Sequence, residues 1–381
     1  MYKTLSIVYT TCYLDVSGVT KLNFDILSRL KSKEFKIHVL TTEENKSKGN
    51  NSWDYLFDIY INKPFQLSCI NEKQRLNCFL KYLIDNKIAI VFNTHSLWLY
   101  ENVSCIKKNL PHIKLIDSLH VLEPYCFRGG YPDISANKYV HPFIDRSILV
   151  SEDLKNYLLK NYEVNANKLT VIRNGIDTTK FSWKDNLQGK FKSEIGLEGK
   201  SKLVGFIGRL VDQKRPLMFL EIVKQIALSD NSCFFYMIGT GNLEKKVVKF
   251  INKNNLSNRV FLFKERNDID CILNSTNLLL VPSLYEGAPL TILEAISAEV
   301  HVLASDVGAI KEYVGDFCSL IPRSDKNREI NMFIEQSLKL LRNPIKLEYA
   351  AKHVKEYDIN RTSEEYRNIF LKAVEHAEFP Q

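Results

Sequence analysis

Short apolar runs recur along the chain, separated by stretches in which apolar and polar residues alternate at helical spacing. Leu278-Leu279-Leu280-Val281 stops at Pro282-Ser283, and Leu203-Val204-Gly205-Phe206-Ile207 stops at Gly208-Arg209. Runs of this kind predict strands buried on both faces, as in parallel sheets. The N-terminal half predicts strands over 4–11, 35–40, 88–93, 113–119, 145–150 and 168–172, with helices over 18–31, 72–86 and 152–161. The C-terminal half predicts strands over 203–208, 233–238, 259–263, 278–281 and 300–304. Helices are expected there over 216–228, 242–254, 268–276, 289–298 and 330–342. Repeated βα order implies parallel sheets with right-handed crossovers, so the expected fold class is α/β with two doubly wound, Rossmann-like domains. Asn174-Gly175 and the polar stretch 182–201 mark a boundary, giving domains over 1–185 and 186–357, with a last helix in 358–381.

Length agrees, since 381 residues exceed what one core usually serves. No apolar stretch approaches the eighteen to twenty residues that span a bilayer, and the first residues read as a strand, not a signal peptide. The eight cysteines are scattered without paired spacing, as expected of reduced thiols in a cytoplasmic protein and not of a zinc site or disulfide framework. Charge is uneven. Residues 1–185 carry 25 Lys+Arg against 19 Asp+Glu, a balance of +6, whereas residues 186–381 carry 27 against 25, or +2. With no compact basic run interleaved with aromatics, nucleic acid is not an expected partner. An anionic membrane surface or a phosphate-bearing lipid acceptor fits the basic half better, although lysine-rich helices also serve simply as solvated faces.

The chemistry concentrates in Glu286-Gly287-Ala288-Pro289-Leu290-Thr291-Ile292-Leu293-Glu294, where two carboxylates stand eight positions apart after a predicted strand. Pro289 suits the first turn of a helix, because its missing N–H would be unpaired there anyway. Strand, loop and helix N-terminus together aim free N–H groups at the carboxyl edge of a sheet, where anions bind. At about 1.5 Å per residue, Glu294 lies roughly 7–8 Å along the helix from Pro289, within reach of a ribose when a phosphate sits on the N–H groups. Gly287 and Glu294 share a face if the helical period holds across the loop. Glu286 would meet whatever hangs from the other end of a diphosphate. Arg209 and Lys214, after the strand ending at Gly208, supply a planar fork and a mobile point charge for phosphate oxygens. Each feature also has a plain structural reading: an acidic residue favoured by the helix dipole, and a solvated βα loop.

Taken together these motifs resemble the retaining GT-B glycosyltransferases of glycosyltransferase family 4. The resemblance is carried by Gly208-Arg209 with Lys214, Ile238-Gly239-Thr240-Gly241, Pro282 to Pro289 with Glu294-Ala295, and Ser305-Asp306-Val307-Gly308 with Glu312. In the other half it is carried by Ile172 to Asp177 with Phe181, and by His120. The chain departs from the family pattern at Glu299 and His301, where Gly and Pro are usual, at Lys264-Glu265, where a Gly is usual, and at the single Gly18.

The resemblance implies two domains facing across a cleft, the last helix packing back on the first domain. It implies a nucleotide-diphosphate sugar donor, UDP-sugar foremost, a hexose-type sugar, and a saccharide or lipid-linked acceptor in surface polysaccharide biosynthesis. The implied place is the cytoplasm, at the inner face of the membrane. As it implies, Arg209 and Lys214 hold the diphosphate, Glu294 takes the ribose, Glu286 and His120 meet the donor sugar, and Gly18 with Gly287, Ala288, Pro289 and Leu290 complete the donor site. No metal and no cofactor are expected. Asp268-Ile269-Asp270, a metal-binding pattern in a different glycosyltransferase fold, is expected here to cap a helix. His95 is expected to be structural, and Arg128-Gly129-Gly130-Tyr131 to form a loop. Two other classes share this architecture: a sugar-nucleotide epimerase, and a weakly catalytic donor-binding subunit of a partner enzyme.

Overall fold

The computed structural model describes residues 4–375 apart from 16, 33, 44–53, 121–130, 198, 346 and 348. The chain forms two units, Met1–Gly175 with Ile359–Gln381 and Ile176–Asp358.

In the first unit, β1 (Leu5–Thr11), β2 (Phe35–Thr41), β3 (Phe65–Gln66), β4 (Ile88–Thr94), β5 (Lys114–Leu119), β6 (Arg146–Leu149) and β7 (Leu169–Val171) form a seven-stranded sheet. Its order is β3-β2-β1-β4-β5-β6-β7. Every neighbouring pair is parallel. The apolar runs are buried on both faces, as Ile7, Val8, Ile90, Val91 and Phe92 in the central strands illustrate.

In the second unit, β8 (Lys202–Ile207), β9 (Cys233–Ile238), β10 (Val260–Phe263), β11 (Leu278–Val281), β12 (His301–Ser305) and β13 (Cys318–Ile321) form a six-stranded sheet, ordered β10-β9-β8-β11-β12-β13. All of its pairs are parallel too. In each sheet the strand order reverses beside the first strand, between β1 and β4 and between β8 and β11. Ligands of open α/β sheets bind outside the carboxyl ends of strands at such reversals.

The division falls at Gly175, ahead of the expected 185, for a packing reason. Ile176 and Phe181 are buried in the core of the second unit among Ile292, Ile296 and Tyr357, and the Ile176 N–H donates to the Tyr357 carbonyl at 2.8 Å. The helix Ile359–Val374 belongs to the first unit. Its Tyr366 hydroxyl lies 3.0 Å from Ser118 Oγ, and its Arg367 grips Glu34 through two bonds of 2.8 Å. Elements absent from the sequence pattern also appear: the helices Asp54–Tyr60 and Leu97–Asn109, and the short strands β3 and β13. Among the described residues no helix is long and apolar enough to cross a membrane.

Glu299 occupies the left-handed region, with φ 59. It follows the helix Leu290–Ser297, and its N–H donates to the Ile296 carbonyl at 3.0 Å while the Val300 N–H reaches the Ala295 carbonyl at 2.9 Å. These two bonds form the helix-ending motif that normally takes glycine. A glutamate there accepts the steric cost for the sake of the carbonyls it caps.

Candidate active site at the β8–β11 reversal

The loop after β8 carries Arg209 into a single 3₁₀ turn, Asp212–Lys214, and then the helix Pro216–Ser229. Pro216 takes the first helical position, where a proline costs no hydrogen bond. Arg215 just before it adopts φ 51. Its guanidinium is anchored by Glu329, a carboxylate 1% exposed, at 2.6 Å. Glu329 also accepts from Arg323 at 2.8 Å and from the Ser324 N–H at 3.0 Å, so its buried charge is compensated on several sides. The loop after β9 lies against this one. Gly239, with φ +141, would place a Cβ 2.1 Å from the Gly208 carbonyl oxygen, which no side chain could occupy.

The loop after β11 brings Glu286 to the same edge, 7% exposed. Its Oε1 accepts from Ser283 Oγ at 2.6 Å and pairs with Lys214 Nζ at 2.5 Å. Its carbonyl accepts from the Ala309 N–H at 3.2 Å, and a Cβ on Gly308 (φ +53) would sit 2.0 Å from that oxygen. The loop after β12 therefore clasps the backbone of Glu286. Arg209 is exposed, and its Nη2 donates to Gln213 Oε1 at 2.9 Å.

Gly287 and Pro289 are buried, Ala288 and Leu290 half-buried. Pro289 stands at the N-cap with extended backbone, and the helix starts at Leu290, one residue later than the sequence implies. The helical period thus does not run back across the loop, and Gly287 and Glu294 do not share a helix face. Glu294 is in the second turn, 7% exposed. The structure brings Arg209, Lys214 and Glu286 to one place, and Gly287 to Leu290 lead from it to Glu294. Two cations, a helix N-terminus and two largely buried carboxylates can bind a polyanion at one end and hydroxyl groups at the other.

His120 and Gly18 belong to the first unit. His120 follows β5, is 2% exposed, and has its Nε2 2.9 Å from Ser118 Oγ, which also meets Tyr366. Its Nδ1 has no partner among the described residues. Burial, and secondarily the neighbouring His95, pushes the imidazole down to about 3, so it is neutral at physiological pH. The His95 and His120 rings meet edge-on with centroids 5.8 Å apart. Gly18 is exposed and opens the helix Gly18–Leu30, capped by Ser17, whose Oγ accepts from the Thr20 N–H at 3.3 Å.

Asp268 stands at the N-cap of the helix Ile269–Asn274, but its side chain makes no cap bond. Instead Arg266 holds both carboxylate oxygens, at 2.8 and 2.6 Å, and this keeps the Asp268 carboxyl below its ordinary range. The expected cap thus gives way to an ion pair. Glu265, in the place of a family glycine, accepts from Thr240 Oγ1 at 2.9 Å. Arg128, Gly129 and Gly130 lie outside the described residues. Sequence reasoning missed Gln213, Arg215 and Glu329. Only the last two left a trace, as an Arg beside the predicted phosphate ligand and an acidic residue in an amphipathic helix.

Comparison with known proteins bears on the fold and the family. Residues 188–357 match the family model for glycosyl transferases group 1, and residues 16–180 that for Glycosyltransferase Family 4. The chain is 26% identical over 384 residues to the UDP-Gal:alpha-D-GlcNAc-diphosphoundecaprenol alpha-1,3-galactosyltransferase of Escherichia coli, covering 94% of this chain and 95% of that one. Anabaena Alr3699/HepE, solved in complex with UDP and glucose, superposes with a TM-score of 0.79 at 15% identity, over 97% of this chain and 100% of that one. The pneumococcal O-GlcNAc transferase GtfA, solved with UDP and GlcNAc, also gives 0.79, at 11% identity, over 97% of this chain and 99% of that one. With two parallel sheets, family models over both halves and a full-length relative, the chain belongs to the GT-B glycosyltransferases of the family 4 type.

Proposed function

We propose that this glycosyltransferase moves a hexose-type sugar from UDP to a lipid-linked saccharide, with retention of configuration and without metal. The observation that carries the reading is the meeting of Lys214 and Glu286, with Arg209 beside them, at the β8–β11 reversal. Arg209 and Lys214 hold the diphosphate and stabilise its charge as the bond from the sugar's anomeric carbon to phosphate oxygen breaks. Backbone N–H groups around Gly287 to Leu290 assist, Glu294 accepts from the ribose hydroxyls, and Glu286 hydrogen-bonds the donor sugar most strongly as the bond breaks. The acceptor oxygen then bonds to the anomeric carbon on the face the phosphate leaves. Its proton passes to the departing phosphate oxygen, so no protein nucleophile is required. Charges held in place before the reaction starts stabilise the leaving group without any cost of reorganisation as the bond breaks.

The E. coli relative, named for a diphosphoundecaprenol-linked acceptor, supports the lipid-linked substrate. The solved neighbours, named for UDP complexes, support the nucleotide. The +6 balance of residues 1–185 supports reversible contact with an anionic cytoplasmic leaflet, at about 1 kcal/mol per well-placed Lys or Arg. Mass spectrometry of products from a panel of nucleotide sugars and lipid-linked acceptors tests the reading. A single hexose added from a UDP-sugar is expected. Turnover of the donor without acceptor would identify an epimerase instead, and binding without turnover a donor-binding subunit.

A further inference from the structure

Gln213 is 7% exposed and touches both loops of the candidate site. Its Oε1 accepts from Arg209 Nη2 at 2.9 Å, its Nε2 donates to the Tyr285 carbonyl at 3.2 Å, and its own carbonyl accepts from the Leu284 N–H at 2.8 Å. One residue thus ties the exposed guanidinium after β8 to the backbone that precedes Glu286 after β11. A buried amide that spends both its donor and its acceptor has no freedom to turn over, because either flip leaves polar groups unpaired. We infer that Gln213 is a positioning residue for the donor diphosphate: it aims the Arg209 guanidinium and sets its distance from the Glu286 loop. This rests on the reading that Arg209 binds the diphosphate.

The test is a double-mutant cycle on the full chain, with UDP itself as the probe in calorimetry. Gln213→Met conserves volume and removes both side-chain bonds; Gln213→Ala is the second variant. Each should weaken UDP about tenfold, the size of one hydrogen bond to a charged group, with little change in melting temperature. In an Arg209→Ala background the same substitutions should have almost no further effect on UDP affinity. Additive losses in the cycle, or unchanged UDP affinity in both Gln213 variants, would show that Gln213 only packs the loops and would overturn the inference alone. If Arg209→Ala itself bound UDP as tightly as the wild type, the diphosphate reading would fall and the inference with it.

Discussion

Lys214 Nζ lies 2.5 Å from Glu286 Oε1, joining residues 72 positions apart at the carboxyl ends of adjacent strands. Each partner thus neutralises the other where a donor would bring both a diphosphate and a sugar. Binding has to share or replace this contact, so the two charges are set against one another until the donor arrives. Glu286→Gln should therefore leave the KM for donor unchanged or lower, because Lys214 is released to the phosphates. Its kcat should fall by about 10²–10³, the loss typical of one preorganised group. Steady-state kinetics separates the two, and a raised KM with normal kcat would place Glu286 in ground-state binding.

Arg209→Ala and Lys214→Ala should each lower transfer by about 10²–10³. Thermal melts of Arg209→Ala should stay near wild type, since Arg209 is exposed, whereas Lys214→Ala leaves the buried Glu286 carboxylate without its cation and should melt lower. Transfer should persist in excess EDTA. Loss on chelation, restored by Mn²⁺, would contradict the proposed charge stabilisation by these cations alone.

Glu294→Gln keeps one acceptor oxygen and loses the charge. Calorimetry with UDP should show affinity lower by about 1–3 kcal/mol. Unchanged affinity would make the Glu294 carboxylate part of the helix packing only.

Most of the fold was legible in the sequence because parallel strands buried on both faces leave uninterrupted apolar runs. The strands β3 and β13 and the helix Leu97–Asn109 escaped for identifiable reasons. β3 has two residues, and β13 (Cys318-Ser319-Leu320-Ile321) is half-buried with a serine inside it, too short for a period to emerge. The helix Leu97–Asn109 packs Leu99, Tyr100, Val103 and Ile106 behind a Ser96 cap, but Trp98 and Leu97 blur its polar face. Arg209, Lys214 and Glu286 were visible because strand ends and glycine turns frame them. Gln213 was not, since an isolated glutamine in a loop carries no signal of a carbonyl partner at Tyr285.

Glu299 offers a stability test away from the chemistry. Its exposed side chain and φ of 59 mean that Glu299→Gly removes steric strain and little else. Stability in urea should rise by about 1 kcal/mol, with donor KM unchanged. A loss of stability would mean that the glutamate side chain contributes more than the strain costs.

His120 gives a pH dependence with a definite sign. Its imidazole is held down to about 3 by burial, against about 6.5 in an unfolded chain. Above pH 6.5 both states are neutral and the full stability is present. As pH falls from 6.5 towards 3, the unfolded chain takes up a proton that the folded one refuses, and stability is lost at about 1.4 kcal/mol per unit. His38, lowered to about 4 by burial, contributes in the same direction. Urea melts at pH 7 and pH 5 should show a smaller loss for His120→Gln than for wild type; equal losses would mean that the imidazole protonates freely in the fold.

The anomeric configuration of the product tests the proposed chemistry most directly. Proton NMR of the saccharide formed from an α-linked UDP-hexose should show an α-linkage, since donor departure and acceptor attack are assigned to the same face. A β-linked product would contradict that assignment, and would require a base on the opposite face of the sugar.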